Sequence, residues 1–318
     1  MNNLFKIIIH SFRYSLIVVL LLTSCSETDQ NHIETDFCSK IHKNATTSLS
    51  KELSDIKELM KSKTGVYVLE DGSGAMVARA WLTEYAEQTI DIQYFIFSTD
   101  NIGLIACDYL VRAADRGVKI RMIVDDIMVD TDIKDILKFN SHRNITVKIY
   151  NPVINLGKNI FNKIGNIVTD FRSVNQRMHN KTFIVDGKAV ITGGRNIADE
   201  YFDYDHKYNF RDRDIILLGK ELKNVNRSFN DFWNSPLSTN VDSLIEDADK
   251  PVISKPGFDR LHEYACNPDN FWPQIRSRIE RLPTIFNQIK TSGKLVWLDD
   301  ISFISDKPGK NDNKSGLG

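Results

Sequence analysis

An α/β fold, with helices covering a mixed sheet, follows from three features of this 318-residue chain. Short β-branched and aromatic runs alternate with stretches of helical spacing. Gly117 and an Asn-Ser-Pro triplet punctuate them. Hydrophobic residues make up 42% of the chain, enough to bury a full core. Strands alternating with helices of this length pack as a sheet with helices against it.

The elements read in order from residue 66. Val66 to Leu69 reads as a strand, and Ala75 to Ala86 has helical spacing. Ile90 to Phe97 reads as a buried strand, and Ile102 to Ala114 as a helix stopped by Gly117. Val118 to Val124 is a strand, Ile133 to Phe139 a weaker helix, and Ile145 to Tyr150 a strand. Asp214 to Leu218 is a strand, and Leu222 to Trp233 a helix broken by Asn234-Ser235-Pro236. A helical region follows around Trp272 and Arg276 to Arg281, then a strand over Leu295 to Ile304. Between residues 154 and 171, Ile160, Phe161, Ile164, Ile167, Val168 and Phe171 share one helical face. That face suits either core packing or contact with an acyl chain or membrane.

The first 25 residues stand apart. Lys6, His10 and Arg13 precede an apolar run from Tyr14 to Leu22, which has the layout of an export signal and is short for a membrane span. It ends in Leu22-Thr23-Ser24-Cys25, similar to the lipobox of bacterial lipoproteins, in which the Cys is cleaved before and lipidated. An ordinary signal peptide or uncleaved anchor is the alternative; in each case the body is exported. The expected organisation is a signal segment at 1–25, a polar spacer at 26–60, a lobe at 61–235, and a connector at 236–318. Three cysteines remain, Cys38, Cys107 and Cys266. Without C-x-x-C or H-x-x-x-H spacing, no metal site is expected. Cys107 fits a core position, and Cys38 and Cys266 are free to pair in an oxidising compartment. Lys and Arg number 41 against 42 acidic residues, so the field that nucleic-acid enzymes use is missing and such a partner is disfavoured.

The chemistry is concentrated in Met178-His179-Asn180-Lys181-Thr182-Phe183-Ile184-Val185-Asp186, an H-x-K-x4-D pattern, followed by Gly193-Gly194-Arg195-Asn196. Phosphodiester transfer needs a nucleophile, neutralisation of the phosphate oxygens, a proton for the leaving oxygen and exclusion of water. His179 supplies an imidazole nucleophile. Lys181, two residues on, shares its face on a strand and meets a phosphate oxygen. Asn196 can donate its amide to the same phosphate. Asp186 faces the other way and begins an Asp-Gly hairpin turn, which suits a scaffold and charge partner better than a proton donor. Gly193 and Gly194 permit close backbone approach to phosphate before an expected helix N-terminus that would favour an anion. Asp125 and Asp126 end a strand, where site residues gather or where a helix cap is needed.

Met178 to Phe202 resembles the first motif of the phospholipase D superfamily, in particular bacterial cardiolipin synthases of the C type. The likeness extends to Ile90–Phe95, Ala113–Val118, Val124–Asp126 and Phe229–Ser235, and covers roughly residues 60 to 318. The resemblance implies a mixed-sheet lobe with the start of a second lobe. It implies transfer of a phosphatidyl group through a phosphohistidine, with His179, Lys181 and Asp186 as the catalytic motif. Asn196, Gly193, Gly194, Asp126 and Glu200 would attend the phosphate, although Glu200 also suits a helix N-terminus. No cofactor or metal is implied; the partners implied are a phospholipid, a membrane and a second such lobe. The departure from the family is that no second H-x-K occurs: His142, His206 and His262 are followed by other residues. Lys294 to Lys310 resembles the opening of the second lobe, so the chain is expected to be incomplete by itself. A homodimeric exported nuclease and an inactive lipid-binding lobe are the alternative readings.

Overall fold

A computed structural model describes Cys38 and residues 48–125, 133–152, 177–205, 207–245 and 257–309, all within the unit Phe37–Gly318. Short helices α1 (Leu49–Glu52) and α2 (Lys57–Ser62) lead into β1 (Thr64–Leu69), α3 (Gly72–Tyr85), β2 (Thr89–Tyr94) and α4 (Asn101–Asp115). Then come β3 (Lys119–Asp125), α5 (Ile133–Asn140), β4 (Ile145–Tyr150), β5 (Thr182–Val185), β6 (Ala189–Gly193) and β7 (Asp214–Gly219). The order closes with α6 (Leu222–Trp233), β8 (Ser238–Asn240), α7 (Asp259–Cys266), α8 (Pro273–Ile279), α9 (Ile285–Thr291) and β9 (Val296–Leu298). Among the described residues no helix is long and apolar enough to cross a membrane.

These strands form one mixed sheet in the order β8-β4-β3-β2-β5-β6-β7-β1-β9. Only β2, β3 and β4 run parallel to one another. They are joined through α4 and α5, the crossover geometry that parallel neighbours require. The other neighbours are antiparallel, including β2 with β5 and β5 with β6. The carboxyl ends of β2 and β3 therefore meet the start of β5 and the end of β6 at one end of the sheet.

Strand alternation sends Ile90, Ile92, Ile120, Met122, Phe183 and Ile191 to one face, where they join α3, α4 and α7–α9 in the main core. On that face Trp81 of α3 is fully buried and stacks on Phe286 of α9, ring centroids 4.9 Å apart. An aromatic pair of this kind adds about 0.5–1.5 kcal/mol beyond the area it buries. The opposite face carries Ile123, Ile184, Val190 and Leu217, covered by Val225, Phe229 and Phe232 of α6. Aspartates start the two long helices: Asp71 and Asp100 accept from the Gly74 and Gly103 N–H, satisfying donors at each helix start.

The strand expected over residues 295–304 is shorter, since only Val296–Leu298 pair with β1. Beyond Asp299 and Asp300 the chain turns under α6, where Ile301 and Phe303 pack on the second core. The Phe303 N–H donates to the Glu221 carboxylate at 2.7 Å. Apolar burial on the second face thus replaces continued pairing at the edge. Residues 238–240 pair with β4, so the segment after Pro236 supplies the other sheet edge. The helical face at 154–171 lies outside the described residues, as do Cys25 and Asp126.

Asp186 and Gly187 adopt left-handed backbone with φ of 52° and 61°, the conformation of the tight hairpin turn joining β5 to β6. The Asp186 carboxylate accepts three backbone N–H bonds, from Glu87, Gln88 and Thr89, at 2.7–2.9 Å. It pins the hairpin to the start of β2, at the far end of β5 from Lys181. Removing an acceptor of several N–H groups costs about 1–3 kcal/mol. We expect Asp186→Ala to lower the unfolding free energy by about 2 kcal/mol in urea titration. Asp186→Asn, which tolerates the left-handed turn and keeps one carbonyl, recovers part of that loss.

Candidate active site at the end of the sheet

His179 and Lys181 lie just ahead of β5, and the structure brings both to the end of the sheet with Asn196. The Lys181 ammonium lies 3.3 Å from His179 Nε2 and donates to the His179 carbonyl at 3.0 Å. An ammonium has no acceptor, so a bond along this contact requires the neutral imidazole with its lone pair on Nε2. The His179 ring packs on Phe95, centroids 5.0 Å apart, and Lys181 Nζ sits 5.5 Å from the same ring. His179 is exposed whereas Lys181 is buried. A phosphate can therefore approach the imidazole from solvent with the ammonium beneath it. Thr192 anchors this stretch, its hydroxyl donating to the Lys181 carbonyl at 2.8 Å.

Asn196 is buried, and its Oδ1 accepts from the Ile96 N–H at 3.0 Å, tying the loop after β6 to the end of β2. Its side chain also bonds the Tyr201 side chain. Asn196 is thus held firmly on elements flanking the motif. The helix expected after Gly193-Gly194 is absent. Ile197 instead bridges Phe97 in extended conformation, and only a single 3-10 turn follows at Asp199–Tyr201. The backbone donors that would open a helix are spent here: Ile197 N–H goes to the Ile96 carbonyl. Glu200 sits in that turn, and burial raises its carboxyl pKa above the usual range. Burial likewise lifts Asp199 to about 6, beside Asp100.

Gly193 and Gly194 serve β7. A Cβ on Gly193 would strike Asp214 and the Arg213 carbonyl, and one on Gly194 would strike the Asp212 carboxylate. This close approach seats Asp214, which is 1% exposed, between two buried guanidiniums. Arg79 Nη2 donates to it at 2.8 Å, and Arg195 Nη1 lies 3.8 Å away. Arg79 Nε donates to the Tyr94 hydroxyl, while Arg195 donates to the carbonyls of Tyr201, Leu69 and Glu70. Asp125, fully buried at the end of β3, accepts from the Met178 N–H at 2.9 Å and from Arg177 Nη1 at 3.1 Å. It fixes the backbone immediately before His179.

Sequence reasoning missed Phe95, Arg79, Asp212 and Asp214. The Asp-x-Asp pair opening a strand so soon after Gly-Gly was the available signal. Arg79 carries none, because it sits mid-helix and only the fold brings it to Asp214.

The comparisons with known proteins agree with this arrangement. Residues 82–233 match the family model described as "Cardiolipin synthase, PLD-like domain". Cardiolipin synthase C of Escherichia coli K12 is 33% identical over 253 residues, covering 79% of this chain and 51% of that protein. An uncharacterized protein of Helicobacter pylori J99 is 34% identical over 273 residues, covering 84% of this chain and 52% of its own length. The chain thus spans about half the length of these curated relatives. Among solved structures, NucT from Helicobacter pylori is 15% identical with a TM-score of 0.40, covering 56% of this chain and 98% of that one.

Burial lowers the Lys181 pKa from 10.5 to about 8, with Asp212 and Asp214 opposing the shift. The ammonium is therefore charged below about pH 8 and neutral above it. We expect the affinity for a diethyl phosphate monoanion, measured by calorimetry, to fall as pH rises through about 8. Lys181→Arg, charged throughout, should remove that fall. The same shift makes this group's share of stability rise with pH between about 8 and 10.5, where the unfolded chain holds the proton and the fold does not.

With the motif, the mixed sheet, the family-model match and the cardiolipin synthase C relative together, the chain belongs to the phospholipase D superfamily and is cardiolipin synthase-like.

Proposed function

We propose that the chain is the His179 lobe of a phosphatidyltransferase of the cardiolipin synthase type. The observation that carries this reading is the His179–Lys181 contact, at the same end of the sheet as Asn196, in a chain 33% identical to cardiolipin synthase C. In the first step His179 Nε2 attacks phosphorus of a donor phospholipid, forming an N–P bond while the P–O bond to the leaving alcohol breaks. Lys181 and Asn196 offset the charge on the non-bridging oxygens. The leaving alkoxide takes a proton from an acid on the opposite side. In the second step an acceptor alcohol, deprotonated by that same group, attacks phosphorus and frees His179.

The acid in this scheme is a histidine of a second H-x-K lobe, contributed by another chain or by a second copy across a twofold axis. A general acid contributes about 100- to 10,000-fold. This lobe alone is therefore a weak catalyst. We further propose that Cys25 is lipidated and the body exported to face a membrane. The Cys38–Cys266 disulfide supports an oxidising location.

The test assays transfer from labelled phosphatidylglycerol, with the oligomeric mass measured in parallel. We expect negligible turnover by the monomer, restoration when a second lobe is supplied, and abolition by His179→Asn. Robust turnover by a strict monomer, or an unchanged rate in folded His179→Asn, contradicts the reading. Cleavage of DNA in preference to lipid would assign the same site to a nuclease.

A further inference from the structure

Away from the sheet end, four side chains with metal-ligand chemistry converge where α7 packs on α4. Cys266 and His262 lie one helical turn apart on α7, with Sγ 3.5 Å from both ring nitrogens. Asp108 of α4 presents Oδ1 3.3 Å from His262 Nδ1. Cys38, far away in sequence, is bonded to Cys266 across a Cα separation of 5.0 Å. The four potential ligand atoms all lie within 4.8 Å of one another. Tetrahedral zinc, at about 2.0–2.3 Å from its ligands, sets them about 3.3–3.8 Å apart.

We propose that Cys38, Asp108, His262 and Cys266 form a binding site for a divalent metal of the zinc class, closed by oxidation to the disulfide. Two observations beyond proximity support it. Asp108 is 1% exposed and its second oxygen is held by Arg112 Nε at 2.9 Å, the outer support that orients a ligating carboxylate. His262 is about half exposed, which leaves a path for the ion. The charges also balance. Two thiolates, Asp108 and Glu84 bring four negative charges against Arg112 and Arg116, and a dication restores neutrality.

Reduction by a dithiol breaks the S–S bond, takes up two electrons and two protons, and oxidises the reductant to its own disulfide. Metal binding then replaces the two S–H bonds with S–metal bonds and releases two protons. In the disulfide state neither sulfur is a thiolate, so two of the four donors are lost. In both states Cys38 stays fastened to α7. Spacing alone offers only the His262-x-x-x-Cys266 pair, because Cys38 and mid-helix Asp108 come from separate segments.

The test uses the full chain in a Cys25→Ser, Cys107→Ser background, reduced under nitrogen and titrated with cobalt(II). We expect one equivalent to bind, with tetrahedral d–d bands and a thiolate charge-transfer band, and zinc to displace it. The oxidised chain should show neither band. His262→Ala and Asp108→Asn should each weaken binding at least about tenfold. Cys38→Ser cannot form the disulfide and keeps three ligands, so it should bind cobalt in air with a weaker charge-transfer band. Absence of the bands in reduced protein that is folded by circular dichroism overturns the proposal. So does a titration left unchanged by Cys38→Ser or Cys266→Ser, or failure of Cys38→Ser to bind cobalt in air.

Discussion

The buried Asp214 carboxylate holds this end of the molecule together. It opens β7 and takes a bond from Arg79 of α3, while Arg195 of the Gly-Gly-Arg-Asn segment approaches from the other side. Each guanidinium then binds further groups: Tyr94 at the end of β2 for Arg79, and the end of β1 for Arg195. Four strands and a helix thus converge on one carboxylate. Removing one partner from such a buried set costs about 3–5 kcal/mol, because an uncompensated charge is left behind. The bare Gly193-Gly194 backbone is a consequence, since any side chain there would push Asp212 and Asp214 away.

Two other carboxylates work in the same way, by gripping backbone. Asp125 takes the Met178 N–H and so sets where His179 begins, while Asp186 takes three N–H groups at the opposite end of β5. The motif strand is fastened at both ends by acids bound to backbone N–H groups. His179 and Lys181 are left at the solvent-facing end, where the ammonium contacts Nε2. Burial that weakens the ammonium's hold on its proton also strengthens the attraction of its charged form for an anion.

Much of this was legible in the sequence. The spacing of apolar residues located β1–β4, α3, α4 and α6 to within a few residues, because each has a strong period and a clear stop such as Gly117 or Asn234-Ser235-Pro236. The H-x-K-x4-D pattern located the site, and the Asp-Gly pair located the hairpin. Where the reading departed from the structure, non-local forces had decided the outcome. Residues after Leu298 had strand alternation but were drawn under α6 by Ile301 and Phe303. The residues after Gly194 suited a helix start but were claimed by pairing with Ile96 and Phe97. Arg79 and Asp108 look like ordinary helix residues until the fold supplies their partners.

His179, as placed by this lobe, is the proposed attacking group. Its most direct test is to trap the covalent intermediate. The chain, with a second H-x-K lobe supplied, is mixed with phosphatidylglycerol labelled in its phosphatidyl phosphate and quenched in base, which preserves phosphohistidine. Peptide mapping then locates the label. Label is expected on the peptide bearing His179 and none in His179→Asn; turnover with the label on any other residue would rule His179 out as the nucleophile.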